Sequence, residues 1–596
     1  MQKRNLFLVT VCLVLALFLP GGRMLAQGKN PLLAQLFEAY YQEKLKQDPI
    51  EATFIGDHRY DDQLPNDISV PLLQEEYNFD RDYLQRLNGF NREQLSIADK
   101  ISYDVLKQLL TVDLESLPLH LEYIPINQFG SLPLLIGQLG SGASGQPFNT
   151  VSDYERWLGR VKAFQPWTDT AISNMRKGIR TGFVLPKVLV SRIIPQMESL
   201  AEKDSSKSVF YGPLRRFPVS FTAAEKDQLT NEYVETINKV LLPCYERLVV
   251  FFKEEYLPHA RETAGIEAVP GGAAIYQHKI RYWTTMNKTP EEIYQLGLKE
   301  VARITAEMET AKQKAGFKGT LQELFTFLRT DKRFMPFKTA DEVLQAYRDV
   351  LQKVEPHLDA FFDIKPKAKF EIRRVEAFRE AGQNGPSYQF GSLDGSRPGI
   401  FYVPVPDASK VNVTFFPMEA TFLHEAIPGH HYQISLQQED TALPSFRRTP
   451  SFSGFTEGWA LYVESLGKQL GCYTDPYQEI GALSSEIHRA IRLVTDVGIH
   501  TGKMTEQQAI DYMTAHESIS EEDARKAAER YMAMPGQALS YKIGGLEIEA
   551  LRDKCMSVLG SKFDIRKFHD AVLTQGDMPL LVLDNYINEW LAQQQR

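Results

Sequence analysis

Along most of the chain, apolar residues recur at intervals of three and four, the spacing that lines one face of an α-helix. The sharpest start is Thr289-Pro290-Glu291-Glu292, which offers an N-cap hydroxyl, a first-turn proline and a capping-box glutamate. Ile293, Leu296, Val301, Ile304 and Met308 then fall mostly on a 3.6-residue period, and Lys312, Lys314 and Gly316 close the segment. Thr222 with Glu225 and Thr505 with Gln508 repeat the capping-box spacing. The pattern predicts a mainly α protein, a large helical body enclosing a cleft.

One stretch departs from it. Residues 369–414 carry alternating or β-branched runs (Phe370 and Ile372, then 400–405, then 411–414) separated by Asp394-Gly395 and Pro398-Gly399, which predicts a small β-sheet. The Gly/Ser-rich piece 137–145 predicts a loop without the GK[ST] ending of a phosphate-binding loop. A soft boundary near 260–272 separates an N-terminal helical region, 27–265, from a second region, 266–596, that contains the sheet.

The amino terminus has its own pattern. Lys3 and Arg4 precede an apolar run from Leu6 to Leu19, followed by Pro20, two glycines and Met24-Leu25-Ala26. That order reads as a secretory signal peptide over residues 1–26, because the apolar run falls short of the ~20 residues that span a bilayer. An uncleaved anchor is the alternative. Cys12 lies inside the apolar run, so a lipid-modified terminal cysteine is not expected. The mature chain is expected to be exported, periplasmic or extracellular, with no stable membrane insertion. Cys244, Cys472 and Cys555 then remain, without metal-ligand spacing, and at most one internal disulfide is open to them.

Composition narrows the partners. With 67 basic against 76 acidic residues in 596, the formal charge is -9 and no long Lys/Arg block exists. Nucleic acid is therefore excluded as an expected partner. An apolar content of 43% suits a globular body, and the charge pattern leaves the oligomeric state open.

The chemistry concentrates in His424-Glu425-Ala426-Ile427-Pro428-Gly429-His430-His431, where three of the twelve histidines stand beside a glutamate. In an HExxH helix two imidazoles one turn apart share a zinc ion, and the glutamate between them acts as general base. Here Pro428 occupies the fourth position after His424. A proline there removes an amide donor and clashes with the His424 carbonyl. An unbroken helix would carry His430 about 120° away from the His424 face and His431 roughly 10 Å along the axis. If Pro428-Gly429 bulges out as a two-residue insertion, the remainder reads His-Glu-x-x-His. His424 and His430 are then the expected ligands and Glu425 the base, with His431 as alternate ligand. The bland alternative is a helix end capped and solvated by its histidines.

A third ligand is expected at Glu457, which lies among Phe455, Trp459, Ala460 and Leu461, where a carboxylate is costly unless paired or metal-bound. Its alternative is a first-turn glutamate favoured by the helix dipole. Glu464, two turns on, is placed to steady a histidine from behind.

The stretches HEAIPGHH, GFTEGWALY (454–462), DGSRPG (394–399) and PGQALSYKIG (535–544) resemble those of the bacterial domain-of-unknown-function family numbered 885, over most of the mature chain. The motif order is also similar to the helical zinc peptidases of the angiotensin-converting-enzyme and thermostable-carboxypeptidase families. That resemblance implies zinc held by His424, His430 and Glu457, with Glu425 as base. It further implies that Tyr541 stabilises the oxyanion, the alternative being a core tyrosine. Arg489, Arg492, Asp496 and His500 form a stripe on one helix face. Arg492 is spaced to pair with Asp496, and Arg489 or Arg492 is a candidate for gripping a substrate carboxylate.

The expectation is an exported zinc peptidase acting on short peptides, with carboxypeptidase action as one form of it. Its rivals are a catalytically silent peptide-binding envelope protein whose metal is structural or absent, and a zinc amidase acting on cell-wall peptides.

Overall fold

In the computed structural model, residues 29–375, 385–391, 397–414, 417–449 and 452–595 are described. The amino-terminal segment read as a signal peptide, and Asp394, Gly395 and Ser396 of the DGSRPG stretch, lie outside them.

The chain is mainly helical with one small sheet. Its apolar faces collect in three large cores and a small cluster of Val375, Ile400 and Tyr402 at the sheet. One joins helices near the amino terminus (Leu33, Tyr83, Leu106) to residues as distant as Trp459 and Leu583. A second is built wholly from residues between Leu64 and Tyr256, and a third lies around Ile304, Ile487 and Ile510. Six helices frame the region of interest: α1 (Pro290–Lys314), α2 (Met418–Glu425), α3 (His430–Glu439), α4 (Ser453–Ser465), α5 (Pro476–His500) and α6 (Ser540–Leu559). Thr289 and Glu292 close a reciprocal capping box at the start of α1, and Gly316 stands at φ +72 just past its end.

Helices α1 and α5 pack along their length, as do α4 and α6. The second crossing is close because Gly458 meets Gly544. A Cβ on Gly544 would stand 1.9 Å from the Gly454 carbonyl oxygen, so no larger residue fits without parting the helices. Phe455 and Trp459 of α4 are fully buried. Burying a phenyl ring of this kind stabilises the fold by ~1.5–3 kcal/mol.

The sheet holds β1 (Phe370–Arg374), β2 (Ser387–Gln389) and β3 (Gly399–Val403) in the order β1-β3-β2. β3 is buried throughout, pairs parallel to β1 and antiparallel to β2, and sets Phe401 edge-on against Phe422 of α2. The run at 411–414 is not a strand. Val413 N–H donates to the Phe334 carbonyl and the Asn412 amide to that of Leu328, so the segment is tied to the end of a helix (Leu321–Thr330) and the turn after it rather than to a ladder. The Gly/Ser-rich piece is not wholly loop either, because a helix covers Leu132–Gly140. Burial of Pro133, Ile136 and Leu139 outweighs the ~1 kcal/mol helix cost of a glycine. Cys244, Cys472 and Cys555 are buried free thiols.

Candidate metal centre

Helix α2 makes its last helical bond from Ala426 N–H to the Phe422 carbonyl and stops at Glu425. The chain does not bulge and continue as one helix. Ala426 and Gly429 both leave helical backbone angles, the Ile427–Pro428 peptide is cis, and a separate helix, α3, begins at His430. Two local features hold this break. Trp459 Nε1–H of α4 donates to the Pro428 carbonyl at 2.9 Å, and Gly429 lies so close to α2 that a Cβ would stand 1.9 Å from the His424 carbonyl oxygen. The result places His424, at the end of one helix, against His430, at the start of the next. Their rings are 4.8 Å apart and nearly perpendicular.

Glu457 completes the cluster from α4. It sits in the second turn of that helix rather than the first, so the helix-dipole explanation of its position does not apply. Its Oε2 is 3.3 Å from His424 Nε2 and 3.6 Å from His430 Nε2. The ligand atoms of the three residues all lie within 4.8 Å of one another. Tetrahedral zinc at about 2.0–2.2 Å from N and O ligands sets those ligands about 3.3–3.6 Å apart, and the two separations from Glu457, 3.3 and 3.6 Å, match that spacing. His424 and His430 are 4% and 8% exposed, which rules out a solvated helix cap.

Charge in the cluster is tightly held. Burial pulls the His424 imidazole down, yet its bonds to Glu457 and Glu464 outweigh this and raise its pKa to about 10. Glu457 is driven far below the carboxylate range: burial raises it, but both imidazoles favour the anion more strongly. Metal uptake must therefore displace a proton from His424.

Behind His424 runs a connected series of hydrogen bonds. Glu464, 7% exposed, takes His424 Nδ1 at 2.7 Å, Ser485 Oγ of α5 donates to the other Glu464 oxygen at 3.0 Å, and Arg489 Nη1 donates to Ser485 Oγ at 2.9 Å. Arg489 is thereby committed to Ser485. His431 points elsewhere: its Nδ1 accepts from the Tyr388 hydroxyl at 2.9 Å, and its ring lies 4.9 Å from that of Phe370. Burial pushes the His431 imidazole down to about 4 and the Tyr388 phenol up to about 12, so the hydroxyl donates to a neutral ring. Tyr388 N–H on β2 also donates to Glu425 Oε2 at 3.0 Å, which fixes that carboxylate beside the cluster.

Arg492 stands over the Tyr541 ring at 4.7 Å. It does not pair with Asp496, which is fully buried and accepts from the Tyr276 hydroxyl at 2.7 Å and Gly536 N–H at 3.1 Å. Burial pushes the Asp496 carboxyl up to about 7 despite those bonds. His500 is tied to Ile266 N–H and the Tyr531 carbonyl, away from the stripe's polar partners. Sequence reasoning missed Tyr388 and Ser485. Only Ser485 carried a local signal, as it extends the stripe one turn upstream of Arg489.

Among the described residues no helix is long and apolar enough to cross a membrane. The family model described as "Bacterial protein of unknown function (DUF885)" matches residues 49–587. No curated protein matches the chain. Its structure is similar to the crystal structure of "the putative lipoprotein from Colwellia psychrerythraea", with a TM-score of 0.84, 28% identity and coverage of 94% of this chain and 99% of that one. It is also similar to "a putative lipoprotein of unknown function from Shewanella oneidensis", with a TM-score of 0.73 and the same coverages; at 18% identity that likeness concerns the fold alone.

Proposed function

Because this chain belongs to the bacterial family of unknown function DUF885, a family described without an activity, we propose its function from the site itself: an exported zinc-dependent peptidase acting on short peptides. The observation that carries the reading is the convergence of His424, His430 and Glu457 from three helices, with Glu425 fixed beside them. Zinc bound there supplies a Lewis acid that polarises a peptide carbonyl and makes water more acidic.

The chain's own groups do the rest. Glu464 holds the His424 Nδ1 proton, which fixes the ring and leaves Nε2 as the nitrogen that faces the position shared with His430 and Glu457. Glu425 accepts a proton from the attacking water and returns it to the leaving amine, the Tyr388 N–H keeping its Oε2 in place. The Tyr541 hydroxyl donates to the oxyanion that develops on the carbonyl. Glu457 is the most exposed of the three ligand residues, with a side chain only 22% accessible, so an extended short peptide reaches the site more readily than the surface of a folded protein. Export is supported by the amino-terminal n-region and apolar run, and by the lipoprotein description of the Colwellia relative.

The test is a screen of N-acylated di- and tripeptides with the zinc-loaded mature chain, reading amine release. Hydrolysis is expected, is expected to stop on chelation and to return with one equivalent of zinc. Turnover that ignores chelation, or none across the whole peptide set, contradicts the proposal.

A further inference from the structure

Arg492 is a cation without a direct anionic partner. Its Nε and Nη1 are buried and make no hydrogen bond, and no carboxylate of the described residues lies within ion-pair distance of it. Its Nη2 donates to His488 Nε2 at 3.1 Å, and His488 Nδ1 in turn contacts Glu517 Oε2 at 2.7 Å. Those partners assign the neutral tautomer with the proton on Nδ1. One face of the guanidinium rests on the Tyr541 ring. Beside it is Tyr531, 2% exposed, whose buried hydroxyl faces the guanidinium. A buried guanidinium with free donors is expensive to keep. Here it is held from behind by His488 and from below by Tyr541, while its buried Nε and Nη1 make no hydrogen bond.

Its place in the fold says where those donors act. Arg492 lies on α5 one turn beyond Arg489, which is tied through Ser485 and Glu464 to His424. Tyr541 opens α6, which packs on the α4 helix that carries Glu457. The two neighbouring arginines differ in degree: Arg489 is bonded to the Ser485 hydroxyl and backbone with only its Nε left buried and unpartnered, whereas Arg492, bonded to His488, leaves both Nε and Nη1 so.

We propose that Arg492, backed by His488 and Tyr541 and flanked by the Tyr531 hydroxyl, is the receptor for the free C-terminal carboxylate of the peptide, making the enzyme a carboxypeptidase. The inference rests on the peptidase reading above. A carboxylate fits better than a phosphate dianion because the planar fork of one arginine matches two coplanar oxygens, and because the single cation is already partly balanced by Glu517 through His488.

The test compares N-acylated dipeptides bearing a free C-terminus with the same peptides as C-terminal amides, and with amides carrying an aspartate side chain. Calorimetric binding of N-acyl amino acids and their amides is run on zinc-loaded and zinc-free chain, with zinc content measured on every sample. Wild type is expected to favour the free acid over both amides by at least about thirtyfold. Arg492→Gln is expected to erase that preference while keeping zinc content and amide binding, and Arg492→Lys to restore part of it. Equal handling of acid and amide by wild type, or an Arg492→Gln loss shared by both, overturns the proposal. So does equal binding of the aspartate-bearing amides. Should Arg492→Gln fail to fold, the acid-against-amide comparison on wild type decides alone. If no peptide is turned over, the binding arm still reads the carboxylate preference, so failure of the peptidase reading is distinguishable from failure of this one.

Discussion

Replacing Glu425 with glutamine is expected to lower kcat by at least about a thousandfold, within the range a positioned general acid and base contributes. Zinc content is expected to stay at one per chain. The separation of the two effects follows from where Glu425 lies. It ends α2, one residue after His424, yet it is not one of the three residues whose ligand atoms converge. Its carboxylate is held instead by the Tyr388 N–H. Glutamine keeps the size of the side chain and an oxygen that can accept that bond, but cannot take a proton from water. Zinc stoichiometry and initial rates on the same preparation check the claim. A variant with wild-type turnover removes Glu425 from the mechanism.

The second large effect is expected from Gly429→Ala. Its Cβ would be placed 1.9 Å from the His424 carbonyl oxygen and 2.2 Å from that of Leu423. Both are backbone atoms at the end of α2 and cannot move aside as a flexible side chain would. The connection must open, at a cost of about 3 kcal/mol or more. Opening it draws His430, the next residue, away from His424. Thermal unfolding and zinc titration are both expected to show the damage, as a lower melting temperature and weaker zinc binding. Wild-type values for both would mean that the break between α2 and α3 tolerates a side chain and does not set the spacing of the histidines.

What could be seen in the sequence is what short-range physics decides. Thr289 and Glu292 are three residues apart and cap α1 without help from elsewhere. Pro428 opposes a helix running straight on from His424, and the break at Pro428-Gly429 sets His430 rather than His431 toward His424. The rest depended on partners distant in the chain. The run at 411–414 has strand-forming residues, but the groups it meets belong to the end of a helix and the turn after it near Phe334, so no ladder forms. The pairing of Arg492 with Asp496 looked natural at a spacing of four, yet Tyr276 and Gly536 take the Asp496 oxygens. No local pattern announces that Tyr388, some forty residues before His431, binds both that ring and Glu425. For the same reason periodicity alone leaves Arg489 and Arg492 alike, and only their partners separate them.

The most direct test of the central claim is metal content by mass spectrometry on the mature protein reconstituted with zinc, measured in parallel for wild type, His430→Ala and His431→Ala. About one zinc per chain is expected in wild type and in His431→Ala, and loss of zinc in His430→Ala. Zinc lost only from His431→Ala, or never bound by wild type, would contradict a centre built from His424, His430 and Glu457.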